Sequence, residues 1–308
     1  MKIKITGIQR FSTNDGPGIR SMVYFAGCKM SCRWCHNPET QRMKSMLMVD
    51  AARCIGCMRC TQVCESFACY RREDGAFVTA RDRCINCLKC IDVCHAQARK
   101  ASVCEIELDD LVKELLQDEV FYRTSGGGVT LSGGEAVLQT EGCLALLKKL
   151  KEAGIHTALE TAGYYEKEKL EMILPYVDLF LFDLKMIDLE KHRAYTGVDN
   201  GQILENFILA AGRKETILRV ALIPGVNDRE EFKKIIQFVK NTGSSINEIH
   251  ILPFHQFGDY KYEQLGRDYG MADQSTENEE NIKWCREYAS AQGFYTDIGG
   301  SGKKKEGK

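Results

Sequence analysis

The 308-residue chain has no long apolar run and no excess of charge of either sign. No stretch approaches the ~20 consecutive apolar residues that a membrane-spanning helix needs, and the first eight residues, MKIKITGI, lack the apolar core of a secretory signal. Lys and Arg total 42 against 43 Asp and Glu, so nothing in the charge predicts attraction to nucleic acid or to a membrane surface. We therefore expect a soluble, cytoplasmic protein that binds neither.

Cysteine, in contrast, is abundant, with 15 in the chain. The absence of a secretory signal and the odd number both favour metal binding over disulfides. A hydrophobic content of 44% is enough for one large core, or for a core with a small additional module.

Three cysteines, Cys28, Cys32 and Cys35, form a C-x3-C-x2-C triplet just after the apolar run at residues 22–25. A 4Fe–4S cube normally takes four cysteine ligands, so three leave one iron open. An open coordination position is what separates a catalytic metal site from a structural one. The alternatives are three buried thiols or a Cys3His zinc site that uses His36, whose position next to Cys35 makes it a poor fourth ligand.

Residues 53–64 and 83–94 form an internal repeat. The two segments, RCIGCMRCTQVC and RCINCLKCIDVC, are 30 residues apart and match at 7 of 12 positions. Each has the C-x2-C-x2-C-x3-C spacing of bacterial two-cluster ferredoxins, in which the fourth cysteine crosses to the other cluster. This spacing predicts two further 4Fe–4S clusters, with the ligands Cys54, Cys57, Cys60 and Cys94 for one and Cys84, Cys87, Cys90 and Cys64 for the other. Zinc ribbons are the competing interpretation, and we interpret Cys69, Cys104, Cys143 and Cys285 as ordinary buried thiols.

The cysteine-rich segment is predicted to be an insertion in a larger domain, because a helical pattern resumes directly after it. Apolar residues recur there with helical spacing, at Leu108, Leu111, Val112, Leu115 and Leu116. We predict a first part of the main domain at residues 1–49, a ferredoxin-like insertion at 50–103, the remainder of the main domain at 104–299 and a flexible tail at 300–308.

The main domain alternates short apolar runs with helical stretches, a pattern typical of a parallel sheet with crossover helices. The predicted strands are residues 22–25, 129–132, 156–160, 178–183, 217–223 and 248–253. Six units are fewer than the eight of a closed barrel. We therefore predict an α/β fold that is an open, partial (β/α)6 barrel.

Glycine and polar residues follow the predicted strands at their carboxyl ends, where parallel α/β proteins place their ligands. The candidate site residues found there are Gly133, Gly134, Glu135, Glu160, Thr161, Asp183, Lys185, Arg219 and His255. We expect the two glycines to let a ligand approach the backbone closely and Glu135 to accept a hydrogen bond from a cationic amine. For Asp183 and Lys185 the alternative is an ion pair that closes the strand end.

Together these motifs resemble the radical S-adenosylmethionine enzymes, and specifically the activating enzymes of glycyl radical enzymes. The resemblance rests on the C-x3-C-x-aromatic-C motif of Cys28 to Cys35, on DGPGIR at residues 15–20, on Asn37-Pro38-Glu39 and on the two-cluster insertion. It extends to about Gly299. It implies that S-adenosylmethionine binds the open iron and is reductively cleaved to a 5′-deoxyadenosyl radical. That radical would take a hydrogen atom from a backbone glycine of a partner glycyl radical enzyme.

The resemblance also implies roles for individual residues. Gly133, Gly134 and Glu135 match a contact to the methionine amino group, and Asp15 matches a residue that helps to hold the partner's glycine loop. Asp183, Lys185, Arg219 and His255 match the methionine and ribose side. A monovalent cation is implied near Glu160, Thr161 and Asp183, although some members have an aspartate where Glu160 stands.

The two additional clusters are expected to relay electrons from flavodoxin or ferredoxin, since cluster potentials span roughly −700 to +450 mV. A structural or docking role is the alternative. Two other functions remain as hypotheses: a radical enzyme that acts on a small molecule, and a non-catalytic iron–sulfur electron carrier. The second of these predicts no cleavage of S-adenosylmethionine.

Overall fold

A mostly parallel sheet of nine strands is the framework of the protein. The computed structural model describes residues 1–73, 75–276 and 278–300. In chain order the strands are β1 Lys2–Ser12, β2 Arg20–Phe25, β3 Leu47–Val49, β4 Cys69–Arg71, β5 Phe77–Thr79, β6 Arg99–Ala101, β7 Cys104–Glu107, β8 Gly128–Gly133, β9 His156–Thr161, β10 Leu179–Asp183, β11 Glu215–Leu222, β12 Glu248–Pro253 and β13 Tyr295–Ile298.

Two short helices, α1 Arg59–Gln62 and α2 Lys89–Asp92, lie in the cysteine-rich segment, and the helices after it connect the parallel strands and cover the outer face of the sheet. These later helices are α3 Leu108–Leu115, α4 Glu119–Ser125, α5 Thr140–Glu152, α6 Lys167–Ile173, α7 Leu189–Thr196, α8 Gly201–Ala211, α9 Arg229–Asn241, α10 Asp259–Leu265 and α11 Glu279–Ala291. Short 3₁₀ turns lie at Pro38–Gln41, Ala51–Arg53, Leu116–Asp118, Ala136–Gln139 and Leu174–Tyr176.

The strand order across the large sheet is β13-β12-β11-β10-β9-β8-β2-β1-β7. From β2 to β13 in this order every pairing is parallel, whereas β1 is antiparallel to both β2 and β7. The six predicted strands are all present and adjacent, so the open α/β barrel is confirmed. Strand β13 adds a seventh parallel strand, and it was not predicted because a four-residue edge strand carries little periodic pattern.

The parallel strands are buried on both faces because helices cover one side and the barrel interior lies on the other. In β10, Phe180 and Phe182 pack into the main core beneath the helices, while Leu179 and Leu181 face inward. The apolar stripe on α9, from Phe232 to Val239, is buried in the same main core. The barrel wall is therefore held by apolar packing on both sides of the pleat.

The cysteine-rich segment is tied together at its two ends, where β3 pairs antiparallel with β6. Its internal repeat extends to the backbone, because left-handed conformations recur 30 residues apart. The pairs are Gly56 (φ 69°) with Asn86 (φ 53°), Met58 (φ 60°) with Leu88 (φ 66°), and Phe67 (φ 51°) with Gln97 (φ 52°). Non-glycine residues adopt this conformation at a cost and mostly where the surrounding structure imposes it. The division of the chain into residues 1–49, 50–103 and 104–299 stays a prediction.

Arg81 of the cysteine-rich segment links that segment to the barrel by two hydrogen bonds. Arg81 donates through Nη1 to the Leu47 carbonyl of β3 (2.7 Å) and through Nη2 to the Gln264 carbonyl of α10 (2.6 Å). The predicted flexible tail at residues 300–308 lies outside the described residues, apart from Gly300. Within the described ranges, no helix is both long and apolar enough to cross a bilayer.

Strands β8 and β9 pack closely at Gly128, so substitution of this glycine tests how tightly the barrel wall is packed. A Cβ atom there would lie 2.0 Å from the His156 carbonyl oxygen. We expect Gly128→Ala to push the two strands apart and to destabilise the protein by about 1–3 kcal/mol or more. Thermal unfolding under anaerobic conditions measures this.

The matched control is Gly201→Ala at the first position of α8, where an added Cβ meets nothing within 4 Å. Alanine is the better helix former, so this variant should be neutral or slightly stabilised. Equal unfolding temperatures for the two variants would contradict the proposed strand contact.

Candidate active site

A cavity of about 740 Å³ opens at the carboxyl ends of the parallel strands. Small-molecule sites typically have volumes of roughly 300–1,000 Å³. Of the residues predicted for the site, those that line it are Cys28, Cys32, Cys35, Gly133, Gly134, Glu160, Thr161, Asp183, Lys185, Arg219 and His255, together with Asp15. The prediction that the strand ends meet at one rim is therefore confirmed for these residues, with Glu135 as the exception.

The cysteine loop that follows β2 is held by backbone hydrogen bonds. The Gly27 amide donates to the Thr40 carbonyl (2.6 Å), and the Ser31 amide donates to the Thr196 carbonyl at the end of α7 (2.8 Å). The Trp34 ring, 6% exposed, packs into a small apolar cluster with Met186, Ile223, Val226, Phe254 and Met271. The loop is therefore anchored on both sides, and its three thiols face the cavity.

Burial raises the pKa of the Cys28 thiol to about 12, and it raises the pKa of the Cys32 thiol to the same value although Lys185 opposes the change there. The pKa of Cys35 is also raised by burial. A buried thiol without a metal stays protonated, so iron binding at this loop has to displace protons.

Charged side chains form the wall opposite the cysteine loop. The Arg219 guanidinium lies 3.4 Å from Asp15 Oδ1, 3.3 Å from Glu160 Oε1 and 3.8 Å from Asp183 Oδ1. The Lys185 ammonium lies 3.1 Å from Asp183 Oδ2, so the ion pair considered from the sequence is present, and both residues line the cavity as well. With all five groups ionised, three carboxylates face two cations, which leaves one net negative charge.

Glu160 and Thr161 are already engaged in this wall. Ser132 donates a hydrogen bond to Glu160 Oε2, while Oε1 faces Arg219. Burial raises the pKa of Glu160, and the Arg219 charge opposes this. The Thr161 hydroxyl donates to Glu135 Oε2 (2.8 Å). The side-chain oxygens of Glu160 and Thr161 that were expected around a monovalent cation therefore have protein partners, whereas the buried Asp183 Oδ1 accepts no hydrogen bond from the described residues and lies 3.8 Å from Arg219 Nε.

The Glu135 side chain turns away from the cavity and is 3% exposed. Its Oε2 accepts hydrogen bonds from the Thr161 hydroxyl and from the Ala162 amide (3.3 Å), so it links the loop after β8 to the end of β9. Burial raises its pKa to about 7. The role of Glu135 as an acceptor for a cationic amine stays a prediction, and its contacts here are internal.

Gly133 and Gly134 permit a close approach, but the partner is the backbone next to the cysteine loop. A Cβ on Gly133 (φ +106°) would lie 2.3 Å from the Phe25 amide, and one on Gly134 would lie 2.3 Å from the Gly27 carbonyl oxygen. The Glu135 amide also donates to that carbonyl (2.8 Å). The two glycines thus attach the loop after β8 to the start of the cysteine loop, and both still line the cavity.

His255 lies in a stack of rings at the cavity edge. Its ring is 4.3 Å from that of His36 and 4.2 Å from that of Phe257. Burial lowers the pKa of both histidines, which favours their neutral forms. His36 and Phe257 also line the cavity and were not predicted as site residues. Their positions beside Cys35 and His255 in the chain were the available signal.

One of the two predicted cysteine sets lines a single small cavity, and the ligation of both sets stays a prediction. Cys54, Cys57, Cys60 and Cys94 line a second, smaller cavity together with Phe77 and Arg99. In the other set, Cys90 is buried beside Leu47, with half-buried Cys64 and Cys84 packed against them, whereas Cys87 is exposed. Among the described residues, no three donors converge on a single metal ion, while a 4Fe–4S cube takes one cysteine at each iron atom.

None of the fifteen cysteines forms a disulfide. Cys143 and Cys285 are fully buried, as predicted, and Cys69 is buried beside Cys90 in the cysteine-rich segment. The prediction of burial is wrong for Cys104. It is exposed on β7, because that edge strand pairs only with β1 among the described strands.

Comparison with known proteins agrees with the site geometry. The chain matches the family model described as the Radical SAM superfamily over residues 92–239 and the one described as a 4Fe-4S single cluster domain over residues 14–66. It is 40% identical to the trans-4-hydroxy-L-proline dehydratase activating enzyme of Clostridioides difficile, over 96% of this chain and 99% of that protein. It is 39% identical to the isethionate sulfite-lyase activating enzyme of Oleidesulfovibrio alaskensis (88% of this chain, 90% of that protein). The identity is also 39% to the benzylsuccinate synthase activating enzyme of Thauera aromatica (97% and 94%).

The raised pKa of Glu135, about 7, makes stability depend on pH. The folded state keeps the proton that the unfolded chain loses near pH ~4.3, so this contribution is full below that pH and is lost as pH rises through about 7. Glu135→Gln keeps an acceptor for Thr161 and removes the titration. Between about pH 5 and about pH 8, the parent protein should lose up to roughly 3 kcal/mol more stability than the variant.

Thermal unfolding of the reconstituted protein across this pH range measures the difference. Glu141→Gln, at an exposed position of α5, controls for the loss of a surface carboxylate and should follow the parent profile. Parallel profiles for Glu135→Gln and the parent would contradict a proton held by buried Glu135.

Proposed function

Because this chain belongs to the glycyl radical enzyme activating enzymes of the radical S-adenosylmethionine superfamily, we propose that the cavity between the cysteine loop and the Arg219 wall is its active site. The protein is a radical oxidoreductase that reductively cleaves S-adenosylmethionine to a 5′-deoxyadenosyl radical. This radical removes a hydrogen atom from a backbone glycine of a partner glycyl radical enzyme. The proposal concerns which residues of this chain perform each part.

Cys28, Cys32 and Cys35 are assigned to a 4Fe–4S cluster, which supplies the electron for the cleavage. The supporting observation is that these three thiols face one cavity from one anchored loop. Three ligands leave one iron for the amino and carboxylate groups of S-adenosylmethionine. The chain's own part in this step is to hold the thiols in place and to exclude water from them.

Charge complementarity is the observation that carries the assignment of the substrate to this cavity. S-adenosylmethionine has a sulfonium, an ammonium and a carboxylate group, and so one net positive charge. The wall of the cavity carries one net negative charge when its five charged groups are ionised. Such complementarity favours the correct ligand and its orientation. We assign Asp183, Lys185, Arg219 and His255 to the methionine and ribose side.

Arg219 competes with the monovalent cation expected near Glu160, Thr161 and Asp183. Both Glu160 oxygens have partners, the Thr161 hydroxyl donates to Glu135, and Asp183 faces Arg219 and Lys185. These contacts do not fit a further cation without displacement of the guanidinium. We therefore propose that Arg219 supplies the positive charge at this position.

The extra cysteine sets are proposed to relay electrons from flavodoxin or ferredoxin. Cys54 and Cys57 of the first set are exposed, where a protein donor can approach, whereas Cys90 of the second set is buried beside β3. Strand β3 is joined to α10 through Arg81, and in α10 the Tyr262 hydroxyl donates to the Cys35 carbonyl (3.0 Å). These contacts, with two exposed cysteines in the first set against one, Cys87, in the second, support the proposed order of donor, first set, second set and active site.

The partner is a glycyl radical enzyme, and its identity is not distinguished by similarity. The three relatives described above activate a dehydratase, a sulfite-lyase and a synthase at 40%, 39% and 39% identity to this chain. Asp15 is proposed to help to hold the glycine loop, because it lines the cavity beside Arg219.

Replacement of both Cys57 and Cys87 by serine tests the relay. After anaerobic reconstitution, the parent should hold about 12 iron atoms for three cubes, and the double variant should fall toward about 4. With dithionite the variant should still form 5′-deoxyadenosine, because the active-site cysteines are intact. With a protein donor it should not turn over repeatedly, and the partner's glycyl radical signal in electron paramagnetic resonance should be lost.

Cys28→Ser is the control and should abolish 5′-deoxyadenosine formation with either reductant. Repeated turnover of the double variant with the protein donor would overturn the relay. Zinc in place of iron, or no 5′-deoxyadenosine from the parent protein, would overturn the active-site assignment. Cleavage without a glycyl radical on any partner would favour a small-molecule substrate.

The proposed place of Arg219 in the cation position predicts indifference to alkali ions. Affinity for S-adenosylmethionine, measured by calorimetry, should agree within about twofold in potassium and in tetramethylammonium chloride of equal ionic strength. Glu160→Asp withdraws the carboxylate from Arg219 and Ser132, so its affinity should be at least about fivefold higher in potassium, a difference of roughly 1 kcal/mol. Potassium dependence of the parent protein would contradict the assignment.

A further inference from the structure

Arg99, in β6, is a buried arginine whose hydrogen bonds go to the cysteine-rich segment. It is 6% exposed. Its Nη1 donates to Thr79 Oγ1 (3.0 Å) and to Cys90 Sγ (3.8 Å). It also lines the small cavity of Cys54, Cys57, Cys60 and Cys94.

Within residues 1–73, 75–276 and 278–300 no carboxylate forms an ion pair with this guanidinium, and its hydrogen-bond acceptors there are Thr79 Oγ1 and Cys90 Sγ. A buried charge without a counter-charge is costly, so a buried guanidinium indicates an anion close by. Thiolate sulfurs bound to iron are anionic, and a 4Fe–4S cube with four of them carries net negative charge. The cysteine sulfurs around Arg99 therefore fit the ligands of a pair of iron–sulfur clusters better than they fit neutral thiols.

The internal repeat places this charge asymmetrically. Cys60 and Cys90 are equivalent in the two copies, and each is the third cysteine of its motif. The residue equivalent to Arg99 in the first copy is Cys69, which is neutral and is buried beside Cys90. One guanidinium therefore stands between two cysteine sets that are otherwise related by the 30-residue offset.

We propose that Arg99 is the shared counter-charge of the two clusters in the cysteine-rich segment and raises the reduction potential of both. This inference rests on the proposed function, because it requires the two additional clusters. Reduction adds negative charge to a cluster, so a nearby cation stabilises the reduced form. Net charge and hydrogen bonds to the sulfurs are among the factors that set cluster potentials. Arg99 thereby makes both clusters easier to reduce by a donor.

The test is a redox titration of the reconstituted protein, followed by electron paramagnetic resonance, with Arg99→Met, Arg99→Lys and Lys100→Met. At a fixed potential, Arg99→Met should lower the ratio of reduced to oxidised protein for both additional clusters at least tenfold, which is about 59 mV for a one-electron couple. Arg99→Lys keeps the charge and should stay closer to the parent. Lys100 is the neighbouring exposed residue of β6, and Lys100→Met removes the same charge with little expected effect.

Iron content separates the two levels of the proposal. If the parent protein holds only about 4 iron atoms, the two additional clusters are absent and the proposed relay is wrong as well. If the parent and the Arg99→Met variant both hold about 12 iron atoms and their clusters have equal reduction potentials, the role of Arg99 is wrong but the additional clusters are not. A shift in only one cluster would overturn the shared counter-charge, and so would equal shifts in Arg99→Met and Lys100→Met.

Discussion

The Arg219 guanidinium is the charge on which the active-site cavity depends, because it faces three carboxylates from separate parts of the chain. Asp15 precedes β2, Glu160 lies in β9 and Asp183 ends β10. Without a cation these half-buried carboxylates would repel one another and carry a desolvation cost. The same ion pairs draw the loop with Asp15 beneath β8, where the Thr130 hydroxyl donates to the Asp15 carbonyl (2.9 Å). The cysteine loop faces a wall whose position this arginine sets.

The six parallel strands could be predicted because their pattern is local. Strands buried on both faces appear as continuous apolar runs, and the one predicted at residues 248–253 is Glu248–Pro253 in the structure. The topology then predicts which residues share a site better than any single motif does, because the carboxyl ends of parallel strands share one rim. Asp183, Arg219 and His255 could therefore be placed in one site with no knowledge of distances. The position of Cys94 beside Cys54, Cys57 and Cys60 at one small cavity follows from spacing in the same way.

The direction of a side chain at a strand end could not be predicted, since it depends on contacts with other strands. Glu135 turns toward Thr161 at the neighbouring strand end. The residues next to Glu135 in the sequence do not determine this direction. The crowding of Gly134 against the Gly27 carbonyl likewise arises only when two loops meet. Edge strands are missed for a related reason. They are short and partly exposed, so neither β7 nor β13 shows an apolar run.

A duplicated unit provides two cysteine groups with the same spacing, and the surroundings of the two groups differ. The copies share their left-handed turns, so the differences lie in side chains. At one of these turns the first copy has Gly56 and the second has Asn86, whose Oδ1 accepts a hydrogen bond from the Leu47 amide (2.9 Å). Glycine has no side chain to make that bond, so only the second group is tied in this way to β3 and, through Arg81, to the barrel. The two cysteine groups thus differ through a few substitutions within one repeated backbone.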